Sequence, residues 1–470
     1  MSRFLLSAAH KSSGKTTVSI GLCAALRERG LSVQPFKKGP DYIDPMWLGA
    51  AAGRACRNLD PYLSDPSSLR ETFEHHARDA DVALVEGNKG LHDGVSSDGR
   101  DSSAGLARIL GIPVVLVLDT RGTTRGVAPL VLGYQAFDPA VRIAGVILNR
   151  VGGSRHESKL RRVIEDYTDV PVLGALGEDA SIRIVERHLG LVPSSESTEA
   201  CERIAAISAA VGAGVDLDSL MRRGVAGEPA SGGSRPQPSR VPARGAPGPR
   251  IAIARNEAFG FYYPDDLDAF ADAGATLVAF DPLRDTVLPE VDGLFIGGGF
   301  PETHAPGLSA NRGLRRHIRE RIAAGLPTYA ECGGLMYLSR SLQWGGSRTE
   351  MVGAVPGDTV MHERPIGRGY VHLEETADSP WPNRHAGMIK AHEFHYSSLE
   401  NLPPDLRYAY RVTRGHGIDG ARDGLVIGNL LASYAHLRSL AGHDWPARFV
   451  AFIQHHASAR RPGHVGHRHT

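Results

Sequence analysis

The sequence predicts an α/β protein: a doubly wound parallel-sheet domain with a phosphate-binding loop, followed by a second α/β domain. Three observations predict it. Short runs rich in Val, Ile and Leu alternate with helical stretches, the pattern of parallel strands covered on both faces. The first run, Phe4-Leu5-Leu6, leads into the Ser/Gly-rich loop SAAHKSSGKTT over Ser7–Thr17. Residues 224–250 are dense in Pro, Gly, Ser and Arg and almost without apolar side chains. Such a stretch buries too little surface to order itself, so it reads as an interdomain linker. The expected units are therefore 1–223, a linker 224–250, 251–455, and a His/Arg-rich tail 456–470.

The N-terminal loop carries the first chemistry. Val18, Leu22, Ala25 and Leu26 follow helical spacing and Gly30 suits the C-cap, so strand, loop and helix succeed one another. Backbone N–H groups of such a loop and helix start cradle nucleotide phosphates. Ser12, Ser13, Gly14, Lys15, Thr16 and Thr17 are the candidate ATP-binding residues, with Lys15 reaching β/γ oxygens and the Thr16 hydroxyl on Mg²⁺. Ala9 stands where the usual pattern has its first Gly, and the loop's additional lysine is Lys11.

Further strands are expected at Val82–Val85, Val114–Leu118, Ile143–Leu148 and Val170–Leu173 in the first domain. In the second they fall at Ile251–Ala254, Thr276–Phe280, Gly293–Ile296, Thr328–Ala330 and around Gly428–Tyr434, with helices at Pro264–Ala273, Leu314–Ala324 and Leu335–Ser341. A net charge of +1 gives no electrostatic reason to invoke nucleic acid or an anionic membrane. No apolar run is long enough to span a bilayer, and the N-terminus enters a strand without a secretory leader. Four cysteines without CxxC pairs point to neither a disulfide framework nor structural zinc, hence to a reducing compartment, the cytoplasm. His455, His456, His464, His467 and His469 make the C-terminal tail basic and solvated.

Polar clusters fall where strands end, the place ligands collect in such sheets. Lys37-Lys38-Gly39-Pro40-Asp41-Tyr42-Ile43-Asp44 offers Asp41 and Asp44 to hold Mg²⁺ or orient a carboxylate substrate. Glu86 ends a strand opposite the phosphate loop and suits the metal, and Asp93 follows on a glycine-rich turn. Asn149 ends another strand with an amide able to read an adenine edge. In the second domain Thr328-Tyr329-Ala330-Glu331-Cys332-Gly333-Gly334 reads strand, sharp turn, helix: a nucleophile elbow with a thiol. A thiol at a helix N-terminus becomes a competent nucleophile. Gly298 and Gly299 close another strand and, with Gly333, can furnish oxyanion-hole N–H groups. The base is one of His392, His395 and His436, and spacing does not choose among them.

Taken together and in order, SSGKTT, KKGPDYIDPMW, EGNKGLHDG, VILNRVGG, FGFYYPDDLDAF, GGGFPE, YAECGGLMYL, HEFHYS and ASYAHL closely resemble the glutamine-dependent cobyrinic acid a,c-diamide synthases over nearly the whole chain. The resemblance implies a dethiobiotin-synthetase-like amidoligase domain and a class I glutamine amidotransferase domain. MgATP would phosphorylate a substrate carboxylate, and ammonia from glutamine would displace the phosphate. It further implies Cys332 as nucleophile, His436 as the group that activates it, Asp41 and Glu86 with Thr16 on the metal, and Asp44 and Asp93 positioning substrate or acyl phosphate. The substrate class is a tetrapyrrole bearing acetate side chains, and a homodimer is one expected assembly. Arg438 stands where triad amidotransferases carry a Glu, and Asn88-Lys89 replaces a hydrophobic pair. Both resemble a sirohaem-amidating branch, the runner-up reading. A partition-ATPase-type switch is the third, although a switch has no use for a cysteine elbow.

Overall fold

The computed structural model describes residues 1–182, 184, 186–187, 190–191, 199–226 and 248–460. The chain divides into two compact units, one up to residue 237 and one from 238 onward. Most of the expected linker, and His464, His467 and His469 of the expected tail, lie outside the described residues.

The first unit is built on a parallel sheet. Its strands lie in the order Arg57–Leu59, Val33–Lys38, Val82–Glu86, Ser2–Ala8, Val114–Asp119, Ile143–Val151 and Val172–Gly177. Ser2–Ala8 and Val82–Glu86 are buried along their full length, because helices cover both faces. The connections reverse direction around Ser2–Ala8, so the loops at its carboxyl end and that of Val82–Glu86 face one crevice. Three differences from the sequence reading have physical causes. Val33–Lys38 and Arg57–Leu59 were not expected as strands: Pro35 and two lysines disguise the first, and the second is only three residues long. The last strand begins at Val172, not Val170, because Pro171 has no N–H for the ladder. Val225–Ala226, placed in the expected linker, pair antiparallel with Ser2 and Arg3 and so extend the first unit.

The second unit carries a mixed sheet. Thr276–Phe280, Arg250–Ala254, Gly293–Ile296, Thr328–Glu331 and Leu430–Ser433 run parallel. Arg422–Ile427, Arg407–Arg414, Gly367–Glu375 and Met388–His395 continue it antiparallel. This extension was not read from the sequence, since its strands carry charged residues on an exposed face. The helix expected over Leu335–Ser341 spans Gly333–Leu338, because the Ser339 hydroxyl turns back to the Met336 carbonyl at 2.7 Å and ends it. Ser341–Trp344 is instead a strand of a second, four-stranded sheet.

The helix Trp445–Arg460 runs beyond residue 455, where the tail was expected to begin. Its apolar side packs into an aromatic cluster: the Trp445 ring lies 4.9 Å from Tyr329, 5.2 Å from Phe295 and 5.3 Å from Phe270. Trp445 is fully buried. Trp445→Ala is expected to cost about 3–5 kcal/mol of stability, by lost burial plus the cavity left behind. Urea titration followed by circular dichroism checks it. No described helix is long and apolar enough to cross a membrane.

Candidate functional site

The loop after Ser2–Ala8 is held open by its neighbours. Ser12 and Gly14 adopt left-handed backbone angles, φ 64° and 90°, which turn the chain into the helix Lys15–Glu28. Asn149 Nδ2 donates to the Ser13 carbonyl at 2.9 Å, and Arg150 Nη1 to that of Ser12 at 2.8 Å. A Cβ on Gly14 would lie 2.1 Å from Asn149 Nδ2, so only glycine admits this approach. With its carbonyls engaged, the loop presents N–H groups together with those of the helix's first turn, which have no intrahelical acceptor. Asn149, read from sequence as an adenine contact, thus gives one amide N–H to the loop.

Four of the sequence candidates converge below the loop. The Thr16 hydroxyl donates to Glu86 Oε1 at 2.8 Å and lies 3.3 Å from Asp44 Oδ2. Asp41 Oδ1 accepts the N–H groups of Ile43 and Asp44, at 3.0 and 3.1 Å, and so starts the helix Ile43–Ala52. At the centre stands Lys37, to which the sequence pattern assigns no role. Its Nζ touches Asp44, lies 2.7 Å from Glu86 Oε1 and 3.7 Å from Asp41 Oδ2. The signal available was a lysine ending a buried strand, a position that needs a charged partner.

The electrostatics follow from burial and this one ammonium. Burial pushes the Asp41 carboxyl up to about 7, and the charge of Asp44 adds to it. Burial also raises Glu86 against the pull of Lys37. Asp44 goes the other way, because Lys37 and the Thr16 hydroxyl outweigh its burial. Burial lowers Lys15 to about 8 although Glu86 pulls it up. Three carboxylates facing two lysines leave negative charge, and Glu86 Oε2 is buried with no hydrogen-bond partner. These are hard oxygen donors with an unsatisfied member, a set that fits Mg²⁺. Asp93 sits apart, its carboxylate accepting the Gly90 N–H at 2.9 Å and so shaping the turn beside the loop.

The second cluster lies in the other unit. Thr328–Glu331 ends at Cys332, whose φ of 47° and ψ of −102° throw the thiol off the strand axis before the helix Gly333–Leu338. The Cys332 N–H donates to the Ser433 carbonyl at 2.7 Å, which pins the elbow to the adjacent strand. Cys332 is 7% exposed: recessed, but not sealed. Of the three histidines left open, His436 is the one whose side chain hydrogen-bonds Cys332. Its ring stacks on His392 at 4.8 Å, and the two backbones bridge through the His436 N–H, 2.8 Å from the His392 carbonyl. His395 stacks instead on Tyr434 at 3.9 Å, and its Nδ1 bonds the Ser397 carbonyl.

Glycines allow this closeness. A Cβ on Gly298 would come 2.7 Å from His436 Cε1, and one on Gly333 would come 2.9 Å from the Gly299 nitrogen. Gly298, Gly299 and Gly333 therefore surround the elbow with backbone. Asp423, unnoticed in the sequence, fixes the segment leading to His436: its carboxylate accepts from Ser433 Oγ, Tyr434 N–H and Ala435 N–H at 2.7, 3.0 and 2.9 Å. Burial alone would lower His436. The hydrogen bond to Cys332 and the nearby Glu331 carboxylate raise it to about 10 instead. His392 falls well below the usual range, through burial and then the charges of His436 and Arg438.

Comparison with known proteins agrees with two sites on one chain. Residues 7–192 match the CobQ/CobB/MinD/ParA nucleotide binding domain, and residues 250–443 match the CobB/CobQ-like glutamine amidotransferase domain. The class so defined joins a nucleotide-binding unit to a glutamine amidotransferase unit. A cobyrinate a,c-diamide synthase of Magnetococcus marinus is 45% identical over 462 residues, covering 98% of this chain and 99% of that protein. Another from Methanosarcina acetivorans is 43% identical over 486 residues, covering 98% and 97%. One from Listeria innocua is 40% identical over 439 residues, covering 93% and 96%. The chain belongs to the cobyrinate a,c-diamide synthase family.

Proposed function

We propose that this enzyme amidates the a and c acetate side chains of cobyrinate, or its cobalt-free counterpart, using ATP and the amide nitrogen of glutamine. The observation that carries the reading is near full-length similarity to cobyrinate a,c-diamide synthases together with a Cys332–His436 pair on a glycine-walled elbow. In the second unit, Cys332 Sγ attacks the glutamine δ-carbonyl, and the oxyanion is met by N–H groups of Gly298, Gly299 or Gly333. His436 gives its proton to the departing nitrogen, so ammonia leaves and a thioester remains. Water then hydrolyses the thioester, returning the thiol and releasing glutamate.

In the first unit, ATP phosphates lie on the loop Ser12–Thr17 with Asn149 toward the base. A carboxylate oxygen of the substrate attacks the γ-phosphorus, ADP leaves, and ammonia displaces phosphate from the acyl phosphate to give the amide. Activation is required because a free carboxylate has no adequate leaving group. Lys15 lies against the transferring phosphoryl group, and Lys37 holds Asp44 and Glu86 in place. Thr16, Glu86 and Asp41 would hold Mg²⁺, which when bound neutralises charge on the phosphates. Asp44 and Asp93 position the substrate, and in-line placement contributes roughly 7–11 kcal/mol to such a step. The cytoplasm supplies ATP, glutamine and the reduced state the thiol needs.

Mass spectrometry of products tests this. Cobyrinate incubated with ATP and glutamine is expected to show conversion of two acids to amides, with glutamate and ADP formed alongside. Conversion of sirohaem with cobyrinate left untouched would overturn the assigned substrate.

A further inference from the structure

The position two residues after the base, a Glu in triad amidotransferases, is Arg438 in this chain. Its side chain turns to Asp265, with Nη2 3.1 Å from Oδ2, and lies over the Tyr263 ring at 5.2 Å. Another carboxylate faces the base. We infer that Glu331, the residue immediately before the nucleophile, is the positioning carboxylate that orients His436 and holds its proton during glutamine hydrolysis. The inference rests on the reading of Cys332 and His436 as the glutaminase pair.

Geometry carries it. Glu331 Oε2 lies 3.5 Å from His436 Nδ1, and both side chains are almost fully buried. Strand alternation puts Tyr329 and Glu331 on one face, and the Tyr329 hydroxyl donates to Glu331 Oε1 at 2.7 Å. The Leu437 N–H, one residue after the base, donates to the same oxygen at 2.8 Å. One carboxylate oxygen is thus clamped twice, which aims the other at the imidazole. Cys332 then leaves the strand at φ 47°, so two adjacent residues, Glu331 and Cys332, both come to the His436 side chain. A carboxylate on Nδ1 fixes the tautomer that presents Nε2 to the nucleophile and stabilises the imidazolium.

The other groups facing His436 do not duplicate this role. His392 stacks on the ring face, and its Nδ1 meets the Tyr263 hydroxyl at 3.2 Å. Arg438 is cationic and directed to Asp265. Asp266 accepts the Ser439 N–H at 2.6 Å, and Asp423 is occupied by the segment Ser433–Ala435.

The test uses the full chain. Alkylation of Cys332 by iodoacetamide is followed against pH by peptide mass spectrometry, which separates it from Cys23, Cys56 and Cys201. Glu331→Gln, close in shape but neutral, is expected to move the upper inflection, where His436 loses its proton, down by about 1–3 pH units. Glutamine turnover is expected to fall about 10²-fold in kcat with little change in KM. An inflection unmoved in folded Glu331→Gln overturns the inference. If that variant is not recovered folded, Glu331→Asp decides: its receding carboxylate lowers the inflection by part of that amount, and an unmoved one overturns the inference. Cys332→Ser separates the two readings. Glutaminase lost there but kept in Glu331→Gln sinks this inference alone, whereas glutaminase kept in Cys332→Ser sinks the reading beneath it.

Discussion

Cys332→Ser is expected to lose glutamine-driven amidation by about 10³-fold or more, yet to amidate when ammonia is supplied at high concentration. The argument is chemical. At neutral pH a serine hydroxyl beside His436 keeps its proton far more tightly than a thiol does. In the native pair the Cys332 hydrogen bond and the Glu331 carboxylate raise His436 against its burial, so the thiol and the imidazole are matched as a pair, and a serine hydroxyl does not replace the thiol in it. The substitution exchanges one side-chain atom for a slightly smaller one and adds no bulk to the elbow. Nothing in the phosphate-loop unit depends on that sulfur, so acyl phosphate formation continues and external ammonia can complete the reaction. Amide product is measured with glutamine and with ammonium salt in parallel. A variant with intact glutamine-driven turnover would show that another group attacks glutamine. One that ammonia fails to rescue, though folded, would argue against two chemically separate sites.

The parts of this protein that follow local rules were legible in its sequence. The strand Ser2–Ala8, the loop and the helix Lys15–Glu28 declare themselves by apolar spacing and by glycine where φ must be positive. Thr276–Phe280 and Gly293–Ile296 are short, largely apolar runs and form strands with the expected bounds, the first at the sheet edge and the second fully buried. What escaped was set by partners distant in the chain. Val33–Lys38 ends in two lysines and contains a proline, which hide a buried strand until Asp44 and Glu86 are seen to neutralise Lys37. Glu331 looked like the polar end of a strand, because its relation to His436 spans 105 positions and depends on the pairing of Thr328–Glu331 with Leu430–Ser433. The choice among His392, His395 and His436 was closed to spacing arguments for the same reason. His395 and His436 both lie near strand ends, and only the sheet order puts one of them against the thiol.

Lys15→Ala should abolish amidation from either nitrogen donor, by about 10²–10³-fold or more, while glutamine hydrolysis persists. Lys15 is buried beside Thr16 and Glu86, and burial lowers it to about 8 in the absence of nucleotide. Bound phosphates would bring negative charge to that ammonium and pull its pKa back up, so the cation is strongest when the transferring group is present. Alanine leaves Asp44 and Glu86 facing Lys37 alone, without the second ammonium that the bound phosphates need. The loop itself rests on Asn149 and Arg150 rather than on Lys15, so it should keep its shape. Arginine is no substitute, because a wide planar fork does not fit a position shaped for a compact ammonium. ADP, glutamate and amide product are measured in the same samples. Glutamate formed without ADP or amide is the expected pattern. Undiminished ADP and amide would remove Lys15 from the phosphoryl-transfer step, and loss of all three with a lowered melting temperature would assign it a structural role instead.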